Sequence, residues 1–399
     1  MHRCTPHLFC FFLLASSLAS GAPPLTEEEA VRLGLEQSDA SDRWDAHADL
    51  ARGKLESAGR WANPEIEYSR ETLELPEGDS EEDTWSIRQR INLAGVDGLT
   101  REAARHQYRA AGMRNDYARL EWSADIRSRF YQVLAARRDA ELVADWHRRF
   151  SELTEAIAQR VEAGDASRYE LSRLQQELAL LDGERLQTQA EAMSARDRLT
   201  QLIGESDRPL TGRLLPPRAP DAGDTLAESP LLQALSAEAE SAAVRARAAE
   251  RQRWPELTLG VGRKEVTEPG FQAEGNVVSV GLEIPLFDRN TGEARTQRSL
   301  AQQQRADRAL ARAELTTRLQ TLQRALRAQR QAALALQRNT ETDSSSLSDI
   351  AESSYAAGEL SIAELIDAHR SELDARREAL QRELEARRTY IQLNLLISN

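Results

Sequence analysis

Hydrophobic residues recur every three or four positions along most of the chain, which is the spacing of amphipathic helices. The spacing predicts a helix over residues 25–60, a very long helix over 99–159 and a return helix that ends near residue 203. At 1.5 Å per residue the long helix would measure roughly 90 Å. Its apolar positions fall at coiled-coil spacing, so we expect it to pack along other helices over its whole length.

At four places alternating apolar and polar residues replace the helical spacing, and alternation predicts strands. The predicted strands span residues 65–75, 84–93, 256–265 and 277–287. Along 84–93, for example, Trp85 and Ile87 share the apolar face. Residues 74–83 between the first two strands form a polar, acidic turn, so these two strands are predicted to form a hairpin.

A short stretch between two helical segments occurs twice. In each copy a glycine ends the incoming helix, since glycine adopts the left-handed cap conformation at little cost. A serine three residues later and a glutamate six residues later can form an S-x-x-E capping box for the outgoing helix. These residues are Gly164, Ser167 and Glu170 in the first copy and Gly358, Ser361 and Glu364 in the second. The sequence therefore predicts two tight helical hairpins.

The second half of the chain repeats the first: short helix, β-hairpin, very long helix, tight turn and shorter helix. Prolines concentrate between the halves, which marks a crossover. We predict a first repeat over residues 22–204, a proline-rich crossover or equatorial segment over 205–229 and a second repeat over 230–399. Residues 1–21 have the pattern of a secretory signal peptide, because an apolar run too short for a bilayer follows Arg3 and small residues follow the run.

Composition narrows the class of protein. Aromatic residues are 5% and charged residues 29% of the chain, a usage typical of long packed helices. A formal net charge of −13 argues against nucleic-acid binding. Cys4 and Cys10 leave with the signal peptide, so the mature chain is expected to have no disulfide, thiolate metal site or lipidated cysteine. No apolar stretch reaches the length of a transmembrane helix, so entry into a membrane would require a β-barrel.

Four strands of about ten residues suit a tilted membrane strand but cannot close a barrel, for which eight is the usual minimum. Three copies would supply twelve. The predicted fold is therefore mainly α with a transmembrane β-barrel: a trimeric 12-stranded barrel continued by a long α-helical barrel, with an internal two-fold repeat. Trp61 and Trp254 stand at equivalent helix-to-strand junctions, and Trp85 stands near the other end of its strand. Membrane-interface belts and ordinary packing both explain these tryptophans at this point.

Taken together, the two-fold repeat and its motifs resemble the TolC family of trimeric outer-membrane efflux proteins over the whole mature sequence. The motifs are the paired junctions Trp61-Ala-Asn-Pro64-Glu65 and Trp254-Pro255-Glu256, the two hairpin stretches and Ile284-Pro285-Leu286-Phe287. The resemblance implies a passive exit duct in the outer membrane, with its helical part in the periplasm. It also implies a homotrimer whose partners are a periplasmic adaptor (membrane fusion) protein and an inner-membrane pump of the RND type. No cofactor is implied.

The resemblance also implies roles for residues at the hairpins. Adaptor-docking tips are expected at Gly164, Asp165, Ser167, Gly358, Glu359 and Ser361. Aperture residues are expected at Glu364, Asp367, Tyr355 and Glu170, where Tyr355 matches a tyrosine that helps to hold the family's aperture shut. The chain departs from the family at Leu360, where an arginine is expected.

Asp367 is the more informative of the two aperture acids. The capping box already explains Glu364, whereas Asp367 lies beyond the box and its counterpart in the first repeat is Arg173. Three copies of Asp367 around an axis would form a constriction that attracts cations. The hypothesis is that Glu364 and Asp367 line the aperture.

The short length, the expected lack of a lipidated cysteine and the low aromatic content resemble the heavy-metal branch of that family, the cobalt–zinc–cadmium type. The histidines His47, His106, His147 and His369 are scattered and are expected to be solvated helix residues, and methionines are too few for a metal relay. No nucleophile–base pair, phosphate loop or metal-ligand cluster indicates an enzyme. The rival class is a soluble periplasmic coiled-coil adaptor or scaffold, although adaptors usually carry one hairpin flanked by β-rich domains.

Overall fold

The structure is a computed structural model that describes residues 23–74, 76, 78–204, 207–219, 226, 228–341 and 346–397. The predicted signal peptide lies outside the described residues. The first half contains α1 (Glu27–Leu35), α2 (Ser38–Ser57), β1 (Glu65–Leu73), β2 (Ser80–Ile91), α3 (Val96–Ala163) and α4 (Arg168–Ile203). The second half contains α5 (Pro230–Arg251), β3 (Glu256–Glu268), β4 (Phe271–Glu283), α6 (Thr291–Glu341), α7 (Leu347–Ala356) and α8 (Ile362–Ile397). Each half thus contains a β-hairpin that is followed by a long helix and at least one shorter helix.

The longest element is α3, with 68 residues. At 1.5 Å per residue it is about 100 Å long. Left-handed glycines bound it at both ends: Gly95 precedes it at φ 69° and Gly164 follows it at φ 84°. It packs against α4 and α5 along most of its length and against α8 towards the hairpin end. Over the described ranges, no helix is both long and apolar enough to cross a membrane.

The single helix predicted over residues 25–60 is wrong, because the structure has two helices there. Gln37 adopts φ −58° and ψ 129°, which is not helical, and α2 begins after it. Because of the break, α1 packs against both α3 and α4. Helix α2 packs against α3. A tertiary contact therefore overrides a sequence that is compatible with one continuous helix.

The second long helix also differs from the prediction, which continued it to Gly358. Helix α6 ends at Glu341, and α7 begins with a cap of its own. The Ser346 hydroxyl accepts a hydrogen bond from the Asp349 N–H, while the Asp349 carboxylate accepts one from the Ser346 N–H. Serine and aspartate compete with the helical backbone in this way and favour a new start.

The four strands form one antiparallel sheet in the order β1-β2-β3-β4. The two hairpins meet where β2 pairs with β3, so β1 and β4 are the two edges. The strands begin and end differently from the prediction. Strand β4 begins at Phe271 and stops at Glu283, short of the predicted residue 287, since Pro285 has no N–H group to donate to a sheet.

One face of the sheet is apolar and exposed across its middle, although towards the β1–β2 turn the same face carries the ion pair of Arg70 and Asp83. A single register row crosses all four strands, because Ile66 pairs with Ile87, Ile87 with Val261 and Val261 with Val278. All four side chains are at least half exposed. Exposed apolar side chains continue on the same face at Tyr68, Trp85, Leu259, Val280 and Leu282.

The opposite face of the sheet carries polar side chains and small residues. Arg88 forms an ion pair with Glu67 at 2.8 Å, and Lys264 forms one with Glu82. At Gly260 a Cβ atom would lie 2.2 Å from the Ser279 hydroxyl oxygen, so no larger side chain fits without a shift of its neighbours. The two faces therefore suit different surroundings.

The helices enclose several separate apolar clusters rather than one thick core. One cluster joins α1, α3, α4 and α8 near the middle of the molecule, around Ile126, Phe130 and Leu134. A second lies near the hairpin tips, around Trp146, Phe150 and Leu365. The crossover is fastened at the middle, since Leu25 donates to the Pro209 carbonyl at 2.8 Å and accepts from Thr211 at 3.0 Å.

Candidate functional site at the hairpin tips

The first tip is built by local hydrogen bonds. Gly164 donates to the Val161 carbonyl at 3.2 Å, and Asp165 donates to the Arg160 carbonyl at 2.8 Å. These bonds satisfy the last carbonyls of α3 and reverse the chain. Ser167 and Glu170 then form the predicted capping box: Glu170 N–H donates to the serine hydroxyl at 3.2 Å, and Ser167 N–H donates to the glutamate carboxylate at 2.7 Å.

The second tip repeats this arrangement. Gly358 has φ 77°, and Glu359 donates to the Ser354 carbonyl at 2.9 Å. The Ser361 N–H donates to the Glu364 carboxylate at 2.7 Å, and the Glu364 N–H donates to the Ser361 hydroxyl at 3.4 Å. The backbone hydrogen bond from Ser361 lowers the pKa of Glu364, so this carboxylate stays charged at neutral pH. Both capping boxes are confirmed, and the capping role of Glu364 is present.

All six residues expected to dock an adaptor are exposed in the single chain. Gly164, Asp165, Ser167, Gly358, Glu359 and Ser361 occupy the two turns at the tips. Their backbone groups are held by the hydrogen bonds described above, so the turns present a defined surface. No described residue of the chain covers this surface.

The structure brings two of the expected aperture residues together. The Tyr355 hydroxyl donates to the Glu170 carboxylate at 3.2 Å, which links α7 of the second hairpin to α4 of the first. The Arg160 guanidinium lies 5.9 Å from the centre of the Tyr355 ring. Desolvation and the charge of Glu170 raise the pKa of Tyr355, while the backbone hydrogen bond from Ser167 lowers that of Glu170. Tyrosine therefore donates to a charged acceptor at neutral pH.

The other two aperture candidates, Glu364 and Asp367, stand one turn apart on α8 and are exposed. No described residue forms a hydrogen bond or ion pair with the Asp367 side chain. Its counterpart Arg173 on α4 is half-buried and, among the described residues, its side chain donates to Gln176 at 3.4 Å. The structure therefore leaves the Asp367 carboxylate available, and it does not bring it into contact with Tyr355 or Glu170.

Leu360 replaces the arginine expected from the family resemblance, and it packs against the apolar cluster near the tips. The second tip therefore lacks that cation. Arginines elsewhere link the hairpins instead. Arg370 on α8 donates to Glu177 on α4 at 2.6 Å, and Arg377 donates to Asp139 on α3 at 2.7 Å.

Sequence reasoning missed these ionic links, although a signal was present. Glu177 falls on the same helical stripe as Leu174 and Leu181, where an apolar residue is expected, and only 3% of it is exposed. A charged residue at such a position is buried only if it is paired. The pairing partner could not be identified, because Arg370 lies far away in the sequence.

The prediction that His369 is a solvated helix residue is wrong. Its side chain is 1% exposed and packs edge-on against Phe150, with ring centres 4.9 Å apart. Its Nε2 atom lies 3.2 Å from a Glu352 carboxylate oxygen, but without the angles of a hydrogen bond. Desolvation lowers the pKa of His369, so the ring is neutral at pH 7. His369 occupies the apolar stripe of α8 between Ile366 and Leu373, which explains its burial.

A buried carboxylate lies beside His369. Glu372 accepts hydrogen bonds from the backbone N–H of Ser348 at 3.0 Å and from its hydroxyl, and it pairs with Arg376 at 2.5 Å. These contacts fasten the beginning of α7 to α8. In the described ranges, no group of three or more histidine, cysteine, aspartate or glutamate side chains is arranged to hold a metal ion.

The three tryptophans expected at a membrane interface are all exposed: Trp61 by 72%, Trp254 by 58% and Trp85 by 56%. Trp61 and Trp254 lie just before β1 and β3, on the helical side of the sheet. Trp85 lies on β2 and stacks on Tyr68 with ring centres 4.5 Å apart. The exposed positions argue against ordinary packing at these junctions within one chain.

Comparison with known proteins finds a matching family model and related metal-resistance proteins. Residues 222–399 match the family described as "Outer membrane efflux protein". The nickel and cobalt resistance protein CnrC of Cupriavidus metallidurans is 28% identical over 306 residues, which cover 74% of this chain and 72% of that protein. The cobalt-zinc-cadmium resistance protein CzcC of the same species is 25% identical over 367 residues, which cover 89% of this chain and 85% of that protein.

Solved structures share the fold. The outer-membrane channel OprN superposes with a TM-score of 0.77 at 17% sequence identity, over 93% of this chain and 89% of the channel. At this level of identity the likeness concerns the fold.

Proposed function

We propose that the chain is a member of the outer membrane efflux protein family, whose model matches residues 222–399, and that it is the exit duct of a tripartite efflux system for divalent heavy-metal cations. Its family and fold are those of channel proteins, not of enzymes. It is an outer-membrane protein whose helical part extends into the periplasm. In this proposal residues 22–204 and 230–399 are two structural repeats, joined by residues 205–229.

The observation that carries the proposal is the apolar row across an open sheet. Ile66, Ile87, Val261 and Val278 face outward together, and the opposite face holds ion pairs and glycines. A lipid environment favours the first face, and a water-filled lumen favours the second. The edges β1 and β4 carry unpaired backbone groups, which a bilayer does not tolerate. Three copies joined edge to edge would close a barrel of twelve strands.

The helices supply the periplasmic half of the duct. Helix α3 is about 100 Å long, and the tips of both hairpins lie at the end remote from the sheet. The exposed tip turns at Gly164 and Gly358 are the surface we assign to a periplasmic adaptor. The adaptor would connect the duct to an inner-membrane pump of the RND type, which selects the cargo. The rival adaptor or scaffold function is not favoured, since neither the family nor the fold is that of an adaptor.

The aperture would lie at the same end. We assign Asp367 and Glu364 to a ring of carboxylates around the three-fold axis, where charge concentrates cations. The contact between Tyr355 and Glu170 would hold the second hairpin against the first. Opening would then separate the hairpins and break the ionic links of Arg370 and Arg377 as well. Trp61, Trp254 and Trp85 would lie at the membrane interfaces.

The cargo is inferred from the relatives. CnrC is named for resistance to nickel and cobalt, and CzcC for resistance to cobalt, zinc and cadmium. A duct needs only weak contacts with its cargo, so an acidic aperture without a high-affinity metal site suits cation export. The metal assignment rests on these relatives and on the charge of the aperture.

Two measurements test the proposal. The first is the mass of the protein extracted from outer membrane in mild detergent, together with its conductance in planar bilayers. A conducting trimer is expected; a soluble monomer or dimer without detergent would refute the duct. The second is metal resistance of a host that lacks its own exit duct and carries the cognate pump and adaptor. We expect this chain to restore growth on cobalt, zinc or cadmium, and no gain on any of them would refute the metal cargo alone.

A further inference from the structure

A basic cavity lies where the crossover packs against the helices. It has a volume of about 490 Å³ and is lined by residues of the crossover, α3, α6 and α8. Among the described residues its charged lining consists of Arg138, Arg213, Arg330, Arg387 and Glu383. The cavity therefore has a formal charge of about +3 in a chain whose net charge is −13. We call it the crossover cavity.

The most buried of these cations is Arg387 on α8, which is 6% exposed. It donates to the carbonyls of Leu214 at 2.9 Å and Leu215 at 3.1 Å, and the Tyr131 ring lies 4.2 Å from its guanidinium carbon. Carbonyl groups and a ring face stabilise a guanidinium without neutralising it. A positive charge is thus kept at the back of the cavity.

Two further arginines also bind neutral acceptors. Arg330 donates through Nε to the Pro216 carbonyl at 2.9 Å, and Arg138 donates to the Gly212 carbonyl at 3.3 Å. Glu383 is the one acid among the described residues of the lining, and it lies 3.8 Å from Arg138 and accepts from Gln337. Within the described lining one carboxylate faces four guanidinium groups, and the repulsion among these cations favours the binding of an anion.

Arg213 differs from the other three. It is exposed, and its side chain makes no hydrogen bond or ion pair with any described residue. Arg330 and Arg387 hold the crossover in place through their hydrogen bonds to its carbonyl groups. The Arg213 side chain has no such anchoring role among the described residues. The terminal nitrogens of Arg330 are likewise in none of the hydrogen bonds formed among described residues. Charged donors are therefore available at the mouth of the cavity.

We propose that the crossover cavity binds a small oxyanion, whose ligand group is a phosphate or a carboxylate. Planar guanidinium groups bind such oxygens in pairs, and hydrogen bonds between two charged groups are the strong ones. The bound anion would bridge the crossover to α3, α6 and α8, and so stabilise the middle of the molecule. The site is separate from the hairpin tips, and it does not depend on the proposed duct function.

Titration of the purified full-length protein in detergent tests the site. Inorganic phosphate and succinate would be added separately at constant ionic strength set with chloride, and binding would be followed by calorimetry and by the melting temperature. We expect saturable binding and a rise in melting temperature with at least one of the two anions, since a ligand of the folded state stabilises it. Tighter binding of phosphate would identify a phosphate ligand, and tighter binding of succinate a carboxylate ligand.

The variant Arg213→Gln should weaken binding about tenfold, which corresponds to the loss of one charge-assisted hydrogen bond. Arg213 anchors nothing in the described chain, so this variant should fold as the parent does. Arg218→Gln is the matched control, because Arg218 is exposed on the same segment but does not line the cavity. The proposal fails if neither anion binds beyond the effect of chloride, or if Arg213→Gln and Arg218→Gln bind equally well.

Discussion

Tyr355 joins the second hairpin to the first through its hydroxyl group, so the effect of that group can be isolated. Tyr355→Phe keeps the ring and removes the hydrogen bond to Glu170. We expect the open fraction of the channel to rise at least about fivefold, since each protomer loses one half-exposed hydrogen bond to a charged group that is worth roughly 1 kcal/mol. Single-channel recording in planar bilayers measures this fraction.

Tyr169→Phe is the control for this experiment. Tyr169 lies next to Glu170 but is 68% exposed, and it makes no hydrogen bond with a described residue. The same chemical change there should leave the open fraction unchanged. Equal behaviour of the two variants would show that the Tyr355 hydroxyl does not hold the hairpins together.

Asp367 tests the charge of the aperture. Asp367→Asn removes three charges from a trimer at one level, so we expect cation selectivity and block by divalent cations to fall. Reversal potentials in salt gradients measure the selectivity. Asp145→Asn makes the same charge change at an exposed site on α3, away from the tips, and should have no effect. Unchanged selectivity in Asp367→Asn would remove Asp367 from the aperture.

Because His369 is buried, we expect the stability of the protein to depend on pH. Burial lowers its pKa below the ordinary 6.5, so the unfolded chain takes up a proton more readily than the folded chain does. The contribution of His369 to stability is therefore lost as the pH falls below about 6.5. We expect the melting temperature of the parent to fall, relative to His369→Phe, between pH 7.5 and pH 5.5.

Circular dichroism of the purified protein measures the melting temperature. The comparison with His369→Phe isolates the histidine from Glu352 and Glu372, which titrate in both proteins. His47→Phe, at an exposed site, should retain the pH dependence of the parent. If His369→Phe retains it too, the buried ring does not couple protonation to folding.

At the scale of elements, the glycine turns decide where the hairpins reverse. Gly164 has φ 84°, a conformation that costs residues with a Cβ atom about 1–2 kcal/mol. Gly164→Ala should therefore lower the melting temperature, although no neighbour within 4 Å would meet the new Cβ atom. Gly183→Ala should raise it, because Gly183 lies inside α4 with open space around it and glycine weakens a helix interior by about 0.5–1 kcal/mol. An equal fall in melting temperature in both variants would contradict this explanation of the two glycines.

The elements that sequence predicted well are those governed by local chemistry. The capping boxes at Ser167 and Ser361 depend on residues three apart, and both form as predicted. The division between α1 and α2 was missed, because it serves packing against α3 and α4. The contact of Tyr355 with Glu170 and the burial of His369 were missed for a related reason: both depend on how α7 and α8 dock on the first hairpin, which no local pattern contains.

At the scale of the whole molecule, the two faces of the sheet suit different environments, and neighbouring residues of a strand point to opposite faces. Val277 and Val278 are neighbours on β4, but only Val278 lies in the apolar row, and Val277 pairs with Gly262 on the polar face. An arginine on a lipid-facing strand position costs about 2–4 kcal/mol near the middle of the bilayer. Val278→Arg should therefore reduce the amount of folded trimer in outer membrane, and Val277→Arg should not. Heat-modifiable mobility on gels measures the folded trimer, and equal loss in both variants would contradict this assignment of the faces.

The route of the chain through the sheet has a consequence for biogenesis. Strands β2 and β3 lie side by side, but α3, α4 and α5 separate them in the sequence, so their pairing closes a very long loop. Pairing of this kind is slow, whereas helices with local contacts form early. During secretion the hairpin of β1 and β2 emerges first, with its apolar row uncovered and no neighbour on either edge. The interval before β3 arrives is therefore the stage at which the nascent protein is most prone to aggregate, and periplasmic chaperones would act on it then.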